Sequence, residues 1–331
     1  MEPIVPFEPI IPFEPVPADT IPKGEHWKYQ IKWDGTRIVV YHLGAEAKLY
    51  NRKGRERTHH YPELLDVRSY CAADSAILDG EVIALGGDGK PSFHEVMRRD
   101  RIAPEKVREM RKVVPITYMI FDIVYYNGRW INRQPLSERA KLLQQIVIPL
   151  GHVQPVPFHD DGEALFRVMQ EQDMEGIVCK DMRSAYAFGG KDERWQKVKN
   201  YGDTVAVIGG FTLQGRMVNA VLLGQYDGEG KLWYIGHAGT GKLRREDWRR
   251  LTDVLKPMAV KERPFANTPE RHREAYWVPP LLAVKVRYSE WRWREGRSLR
   301  QPSIQSFVSV PPQSCKLPWI EQAGGRKESA E

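Results

Sequence analysis

The chain reads as an α+β protein of two domains, and three observations carry that reading. Its 331 residues exceed what one hydrophobic core ordinarily fills, so about two domains are expected. Up to residue 200, apolar strand runs alternate with helical patterns; from Val205 onward, short β-rich runs alternate with glycine turns. A hydrophobic content of 41% and an aromatic content of 10% fit an ordered globular chain and argue against a disordered one. The first domain is placed at residues 1–200, the second at 203–322, and a disordered tail at 323–331.

The chain opens on a repeat: Glu2-Pro3-Ile4-Val5-Pro6-Phe7, then Glu8-Pro9-Ile10-Ile11-Pro12-Phe13, then Glu14-Pro15. Proline at this density forbids helix and interior strand. Residues 1–22 therefore form an extended, polyproline-like segment, which reads equally as a strap whose Phe and Ile side chains lie along a groove of the folded domain or as a loose tail. Tyr29 to Tyr41 reads as two strands broken by a tight Asp34-Gly35 turn. Lys48 to Gly54 is a strand entering a turn, and Tyr61 to Tyr70 a short helix with apolar Leu64, Leu65 and Val67. Ala76 to Leu85 reads as a strand hairpin with an acidic pair, Asp79 and Glu81, at its bend.

Glu95 to Lys112 is strongly basic and partly helical, a pattern that usually marks a solvated face. Ile116 to Tyr126 is the most apolar run of this half and reads as a buried strand. Gln134 to Ile148 is a helix opening on Pro135, and Gly162 to Glu171 is another. Gly176 to Lys180 and Trp195 to Lys199 are strands. In the second half, Val205–Gly210, Ala220–Tyr226 and Leu232–Gly236 suit a small barrel or sandwich. A helix at Arg245–Leu255 interrupts them, and Ala283 to Trp293 is a further strand.

The formal net charge of +7 favours a polyanionic partner. Cys71, Cys179 and Cys315 are far apart and odd in number, so neither a disulfide framework nor a zinc site is indicated. A reducing compartment, the cytoplasm, is the expectation. No apolar run approaches a membrane span, and the N-terminus lacks a basic-then-apolar signal.

The chemistry centres on Lys32-Trp33-Asp34-Gly35-Thr36-Arg37, which reads K-x-D-G-x-R. Four fixed residues recur by chance only ~0.003 times in a chain of this length. A lysine at a strand end beside a glycine turn is held while its amine stays accessible; burial or nearby cations must lower its pKa before it attacks. Arg37 supplies such a cation and is also a fork for phosphate. Asp34, Arg52, Glu81, Asp122, Glu175, Lys180, Lys197 and Lys199 fall at other strand ends and turns. Phosphoryl transfer needs this mixture: carboxylates hold Mg²⁺, and lysines and arginines neutralise developing charge. Lys197 and Lys199 flank Val198 and so share one face of a strand. Phe121 can stack on a base. Any one of these alone reads equally well as a surface charge or, for Phe121, a core ring; their joint order is the evidence.

In that order the motifs resemble the covalent nucleotidyltransferase superfamily, most closely ATP-dependent DNA ligases. Lys32 to Arg37 resembles the family's nucleophile motif, and Arg52 in NRKG its following arginine element, with Lys53 in place of asparagine. Glu81 in LDGEV resembles the acidic motif, and Phe121 in FDIVYYNG, followed by PLSER, the adenine-stacking motif. EGIVCK, with Glu175 and Lys180, matches E-G-x-V-x-K; WQKVK, with Lys197 and Lys199, matches W-x-K-x-K. The stretches NAVLLGQYDGEGKLWYIGHAGTGK and AVKVRYSEWRWREGRSLRQP resemble the family's C-terminal domain as found in bacterial end-joining ligases.

The resemblance implies an antiparallel-sheet nucleotidyltransferase (adenylation) domain followed by an OB-fold β-barrel. It implies that Lys32 becomes linked to AMP from ATP, that AMP passes to a 5′-phosphate, and that a 3′-hydroxyl displaces it. Gln30, Arg37, Arg52, Glu81, Phe121, Lys180, Lys197 and Lys199 would surround the nucleotide or the nick phosphate, and Glu81 and Glu175 would hold Mg²⁺ or Mn²⁺. The implied partner is nicked double-stranded DNA, and the implied state a monomer.

Two departures from the pattern stand out. Gln30 occupies a position where many ligases carry a glutamate that reads the adenine amino group; an amide oxygen also accepts that bond. The terminal R-x-D-K motif expected after LRQP is replaced by Ser303-Ile304-Gln305-Ser306-Phe307-Val308; either Arg297 or Arg300 substitutes for it, or self-adenylation is slow and the protein works best when already adenylated. The competing readings are an RNA ligase or mRNA capping guanylyltransferase of the same superfamily, and a catalytically weak nucleic-acid-binding relative. The absence of a cysteine cluster disfavours an NAD⁺-dependent ligase.

Overall fold

The structure, a computed structural model, describes residues 8–239, 241–270, 272–292 and 298–317. The first hexapeptide with Phe7, then Trp293, Arg297 and the 323–331 tail, lie outside the described residues. The chain divides into two compact units, Met1–Asn200 and Tyr201–Glu331.

In chain order the first unit contains β1 (Glu14–Pro17), β2 (Trp27–Ile31), β3 (Thr36–Leu43), β4 (Glu46–Asn51), β5 (Ser75–Ile83), α1 (Phe93–Asp100) and α2 (Val107–Val113). It continues with β6 (Thr117–Tyr126), β7 (Arg129–Trp130), α3 (Leu136–Ile146), β8 (Val153–Pro155), α4 (Gly162–Glu171), β9 (Gly176–Asp181) and β10 (Lys191–Lys199). These strands build two sheets, one of order β1-β10-β9-β2, the other β4-β3-β5-β6-β7 with β8 added to β6. Most pairs are antiparallel; β1 on β10 and β8 on β6 are parallel.

The sheets face one another. On β3, Ile38 and Val40 point into a core shared with Leu64, Val67 and Leu143, whereas Val39 and Tyr41 point into a second core with Phe13, Tyr186 and Trp195. A strand buried on both faces must be apolar at every position, which is why Ile38 to Tyr41 runs without a polar residue. The far side of the other sheet is closed by α4, with Leu165 and Met169 against Tyr29, Ile177 and Cys179. Asp161 caps α4 by accepting from the Ala164 amide at 2.9 Å.

Three local expectations are corrected. The Asp34-Gly35 turn does not join a hairpin: β2 pairs with β9 and β3 with β4 and β5, so the turn carries the chain from one sheet to the other. Gly35 is required there, because a Cβ would lie 2.1 Å from the Val82 carbonyl oxygen of β5. Ala76 to Leu85 is no hairpin either; Asp79 and Glu81 lie inside the single strand β5. Burial on both faces keeps the run in one strand, and Gly80 is taken up in an irregularity of its pairing with β6 and not in a turn. Tyr61 to Tyr70 forms two 3₁₀ turns, Pro62–Leu64 and Val67–Ser69, and not one helix. At the N-terminus, Ile10 and Phe13 are buried and β1 takes a sheet edge, the one strand position that tolerates its prolines.

The second unit contains β11 (Gly202–Gln214), β12 (Met217–Tyr226), β13 (Leu232–Ala238), α5 (Arg245–Leu255), β14 (Tyr276–Trp277), β15 (Ala283–Tyr288), β16 (Glu290–Arg292), β17 (Ser298–Arg300) and β18 (Ser303–Val308). The principal sheet has order β13-β12-β11-β15-β18 and is antiparallel. Beyond β13, Gly241 bridges Ile304 of β18, which brings the two ends of the sheet together. A five-stranded, partly open barrel with a helix between its third and fourth long strands is the OB arrangement. Leu251 and Leu255 of α5 pack on Val218, Val221 and Ile304 inside it. Arg300 lies 3.4 Å from Glu290, so it is engaged within this unit.

Candidate active site

Strand alternation dictates which side chains enter the space between the two sheets of the first unit. On β2, Tyr29 and Ile31 pack towards α4, so Gln30 and the following Lys32 point the other way. On β9 and β10, Cys179 and Val198 face α4, which sends Lys180, Trp195, Lys197 and Lys199 inward. From the opposite sheet, Arg37 on β3 and Asp79 and Glu81 on β5 share one face, with Arg37 directly across from Glu81. Phe121 of β6 joins them, 6.2 Å from the Trp195 ring.

Lys32 extends β2 by one bond, its amide donating to the Gly176 carbonyl at 2.9 Å. Its Nζ lies 2.6 Å from Glu175, and Lys199 approaches the other carboxylate oxygen at 3.0 Å. Burial opposes charge on Glu175, yet the two lysines outweigh it and hold the carboxyl below its ordinary pKa. Gly176 makes this approach possible: its φ of +130° suits glycine, and a Cβ would lie 2.2 Å from the Val198 carbonyl oxygen. The Lys197 amine is depressed by burial first, then by repulsion from Lys32 and Lys199. Two lysines on one carboxylate, with a third close enough to be repelled by both, make a site that is short of negative charge, as a triphosphate site must be.

Glu81 sits at the floor of this space. Burial pushes its carboxyl up to about 8; Lys32 and Arg37 offset this in part, while Glu175 and Asp79 add to it. In the free protein at neutral pH it therefore carries its proton. Lys180 is the reverse case. Its Nζ is buried, makes no hydrogen bond among the described residues, and lies 3.9 Å from the Trp195 ring centre and 4.3 Å from that of Phe121. Desolvation pulls this amine down to about 7, against the attraction of Asp122. Gln30 is fixed by donation from Nε2 to the Val156 carbonyl at 3.0 Å, so its amide oxygen is the end left for a donor on a ligand.

The expected residues do not all converge. Arg37 is buried in a bidentate pair with Asp79 at 2.6 and 2.5 Å, and its guanidinium lies 4.7 Å from the centre of Phe121. Its fork is thereby occupied by the protein. Arg52 stands apart, half-exposed and 3.4 Å from Glu14. Asp122 is taken up by Arg139 of PLSER in a fully buried pair at 2.8 and 2.9 Å. Sequence reasoning missed Asp79, Trp195 and Tyr186, whose hydroxyl donates to Asp79 at 2.5 Å. Period two would have found the first two, since Asp79 precedes Glu81 by two residues and Trp195 precedes Lys197 by two.

Among the described residues no three His, Cys, Asp or Glu side chains converge on one point. Glu81 and Glu175 nevertheless suit a hard cation that draws its remaining oxygens from a nucleotide and water. A carboxyl that burial keeps protonated is the group such a cation would ionise. Among the described residues no helix is long and apolar enough to cross a membrane.

Comparison with known proteins agrees with this geometry. Residues 17–199 match the family model for the ATP dependent DNA ligase domain, and residues 214–308 that for the ATP dependent DNA ligase C terminal region. The multifunctional non-homologous end joining protein LigD of Mycolicibacterium smegmatis is 33% identical over 288 residues, covering 85% of this chain and 36% of the relative. The DNA ligase of Thermococcus fumicolans is 29% identical over 291 residues, covering 83% of this chain and 50% of the relative. The chain therefore spans half or less of these relatives' length. A solved structure described as mycobacterial DNA ligase D complexed with ATP and MES matches with a TM-score of 0.54 at 27% identity, over 93% of this chain and 98% of that one. The fold class is that of this match, an antiparallel-sheet adenylation domain followed by an OB-fold domain. The RNA-directed and capping readings are not favoured.

Proposed function

Since the chain belongs to the ATP-dependent DNA ligase family, we propose that it seals nicks in duplex DNA by way of an AMP carried on Lys32. The observation that carries this is the Lys32–Glu175–Lys199 cluster between the two sheets, with Lys197 beside it. In the first step the Lys32 amine, having released its proton, attacks the α-phosphorus of ATP. A P–N bond forms, the bond to the bridging oxygen breaks, and pyrophosphate leaves. An oxygen of a 5′-phosphate then takes AMP from the lysine, and a 3′-hydroxyl finally displaces AMP as the phosphodiester forms. Each step is an in-line displacement, so alignment and charge neutralisation are what the protein must provide.

Glu175 aims the nucleophile, and Lys197 and Lys199 flank the α-phosphate. Phe121 offers a ring to the adenine, and the Gln30 amide oxygen accepts from its amino group. Glu81 and Glu175 would bind a divalent cation, Mg²⁺ or Mn²⁺, which neutralises nucleotide phosphate charge when bound. Arg52, on the open side, suits a nick phosphate. The OB unit and the net charge of +7 supply further duplex contact. The protein acts as a monomer in the cytoplasm.

Incubation with α-labelled ATP and Mg²⁺, followed by peptide mass spectrometry, is expected to find one adenylate on Lys32. Nick closure with no adenylate on the protein would overturn the reading.

The Glu81 carboxyl gives a pH prediction. Below about 8 it holds its proton and attracts neither a cation nor a ribose donor as a carboxylate; above that it is ionised. Adduct formation at limiting ATP is therefore expected to climb several-fold between roughly pH 7 and 9. Glu81→Gln is expected to lower the rate and remove that limb. An unchanged profile in the variant would assign the pH dependence to another group.

A further inference from the structure

We infer that the N-terminal strand is a working part of the nucleotide site, with Phe13 as its positioning residue. This rests on the adenylation reading above and goes beyond it, because the family model begins at residue 17 and so leaves Phe13 uncovered.

Three observations converge on this residue. Its carbonyl accepts from Arg37 Nη2 at 3.1 Å, completing a fixation that Asp79 begins. Its ring is 1% exposed and packs edge-on against Trp195 at 5.2 Å. Arg37 and Trp195 are in turn among the groups that pack on Phe121, at 4.7 and 6.2 Å, beside Lys180 at 4.3 Å. Phe13 holds the first through its backbone carbonyl and the second through its ring, so its side chain acts on Trp195, the neighbour of the ring offered to the adenine. The backbone repeats the arrangement. Without β1, β10 would be a sheet edge; with it, Pro17 stands opposite Lys197, and the Ala18 amide donates to the Lys197 carbonyl at 3.0 Å. An interior strand moves less than an edge one, so Lys197 and Lys199 inherit its rigidity.

The chemistry itself does not touch Phe13, so its removal is expected to act on nucleotide binding and not on the displacement. Phe13→Ala is expected to raise the KM for ATP in adduct formation by about five- to tenfold, with kcat kept within about twofold. Phe13→Leu, which refills most of the volume, is expected to recover at least half of that loss. Ile11→Ala, which trims an exposed side chain two residues before Phe13, is expected to change neither constant. The inference is overturned by a Phe13→Ala KM equal to that of the unaltered protein. It is also overturned by parallel losses of kcat and melting temperature that leucine does not rescue, or by an equal effect of Ile11→Ala. Failure of the unaltered protein to form any adenylate would instead sink the adenylation reading itself.

Discussion

Lys32→Ala is expected to abolish the covalent adenylate and to reduce sealing from ATP by at least ~10⁴-fold, the scale on which removal of a nucleophile is felt. A nick that already carries a 5′-AMP presents a different case. Its closure needs a 3′-hydroxyl, an aligned phosphate and a leaving AMP, but no lysine nucleophile. Sealing of pre-adenylated nicks by Lys32→Ala is therefore expected to persist, reduced by no more than about tenfold through the lost charge. The comparison is made on one gel with both substrates. Equal loss on the two would mean that Lys32 acts as a structural cation beside Glu175, at 2.6 Å, and not as the attacking group.

Asp79→Ala is expected to have the largest effect on stability. The Asp79 side chain is fully buried and accepts from Arg37 twice and from the Tyr186 hydroxyl. Its loss leaves a part-buried guanidinium with the Phe13 carbonyl as its one hydrogen-bond acceptor among the described residues, a cost of about 3–5 kcal/mol. At about 2–4 °C per kcal/mol for a unit of this size, the melting transition of the first unit drops by about 10 °C. The triple replacement Arg37→Met, Asp79→Leu and Tyr186→Phe is expected to recover most of it, since neither a charge nor the tyrosine hydroxyl then remains unpaired. Calorimetry decides the matter: a shift of less than about 2 °C for Asp79→Ala would mean that water or another acceptor reaches Arg37.

The strands and helices that could be read from the sequence were those with one strong period or one long apolar run. Ile116–Tyr126, Gly162–Glu171 and Arg245–Leu255 fall where patterning put them, because local burial decides such segments. What patterning misjudged was partnership. Asp34-Gly35 is a hairpin turn by composition, yet β2 and β3 join different sheets, since pairing depends on β9 and β5, which lie far along the chain. The carboxylates of LDGEV stand inside a strand for the same reason: Arg37, from another strand, compensates Asp79 in a place where a lone acid would not be stable. The Lys32, Glu175 and Lys199 cluster was legible as a set of residues, but its spacing was not. The sharing of one carboxylate by two amines exists only once β2, β9 and β10 are side by side.

The double burial of β3 has a consequence for frame-shifting variants. In most strands a one-residue slip exposes the oily side chains to water, and solvent itself forbids the error. Here Ile38 and Val40 could trade places with Val39 and Tyr41 and remain out of water, so hydrophobicity is nearly blind to the alignment. The key must be polar or steric: the Arg37–Asp79 pair and the close passage of Gly35 over Val82 admit one alignment only. A single codon inserted between Lys32 and Gly35 is therefore expected to lengthen the connection between the sheets, with β3 held in its alignment by the Arg37–Asp79 pair.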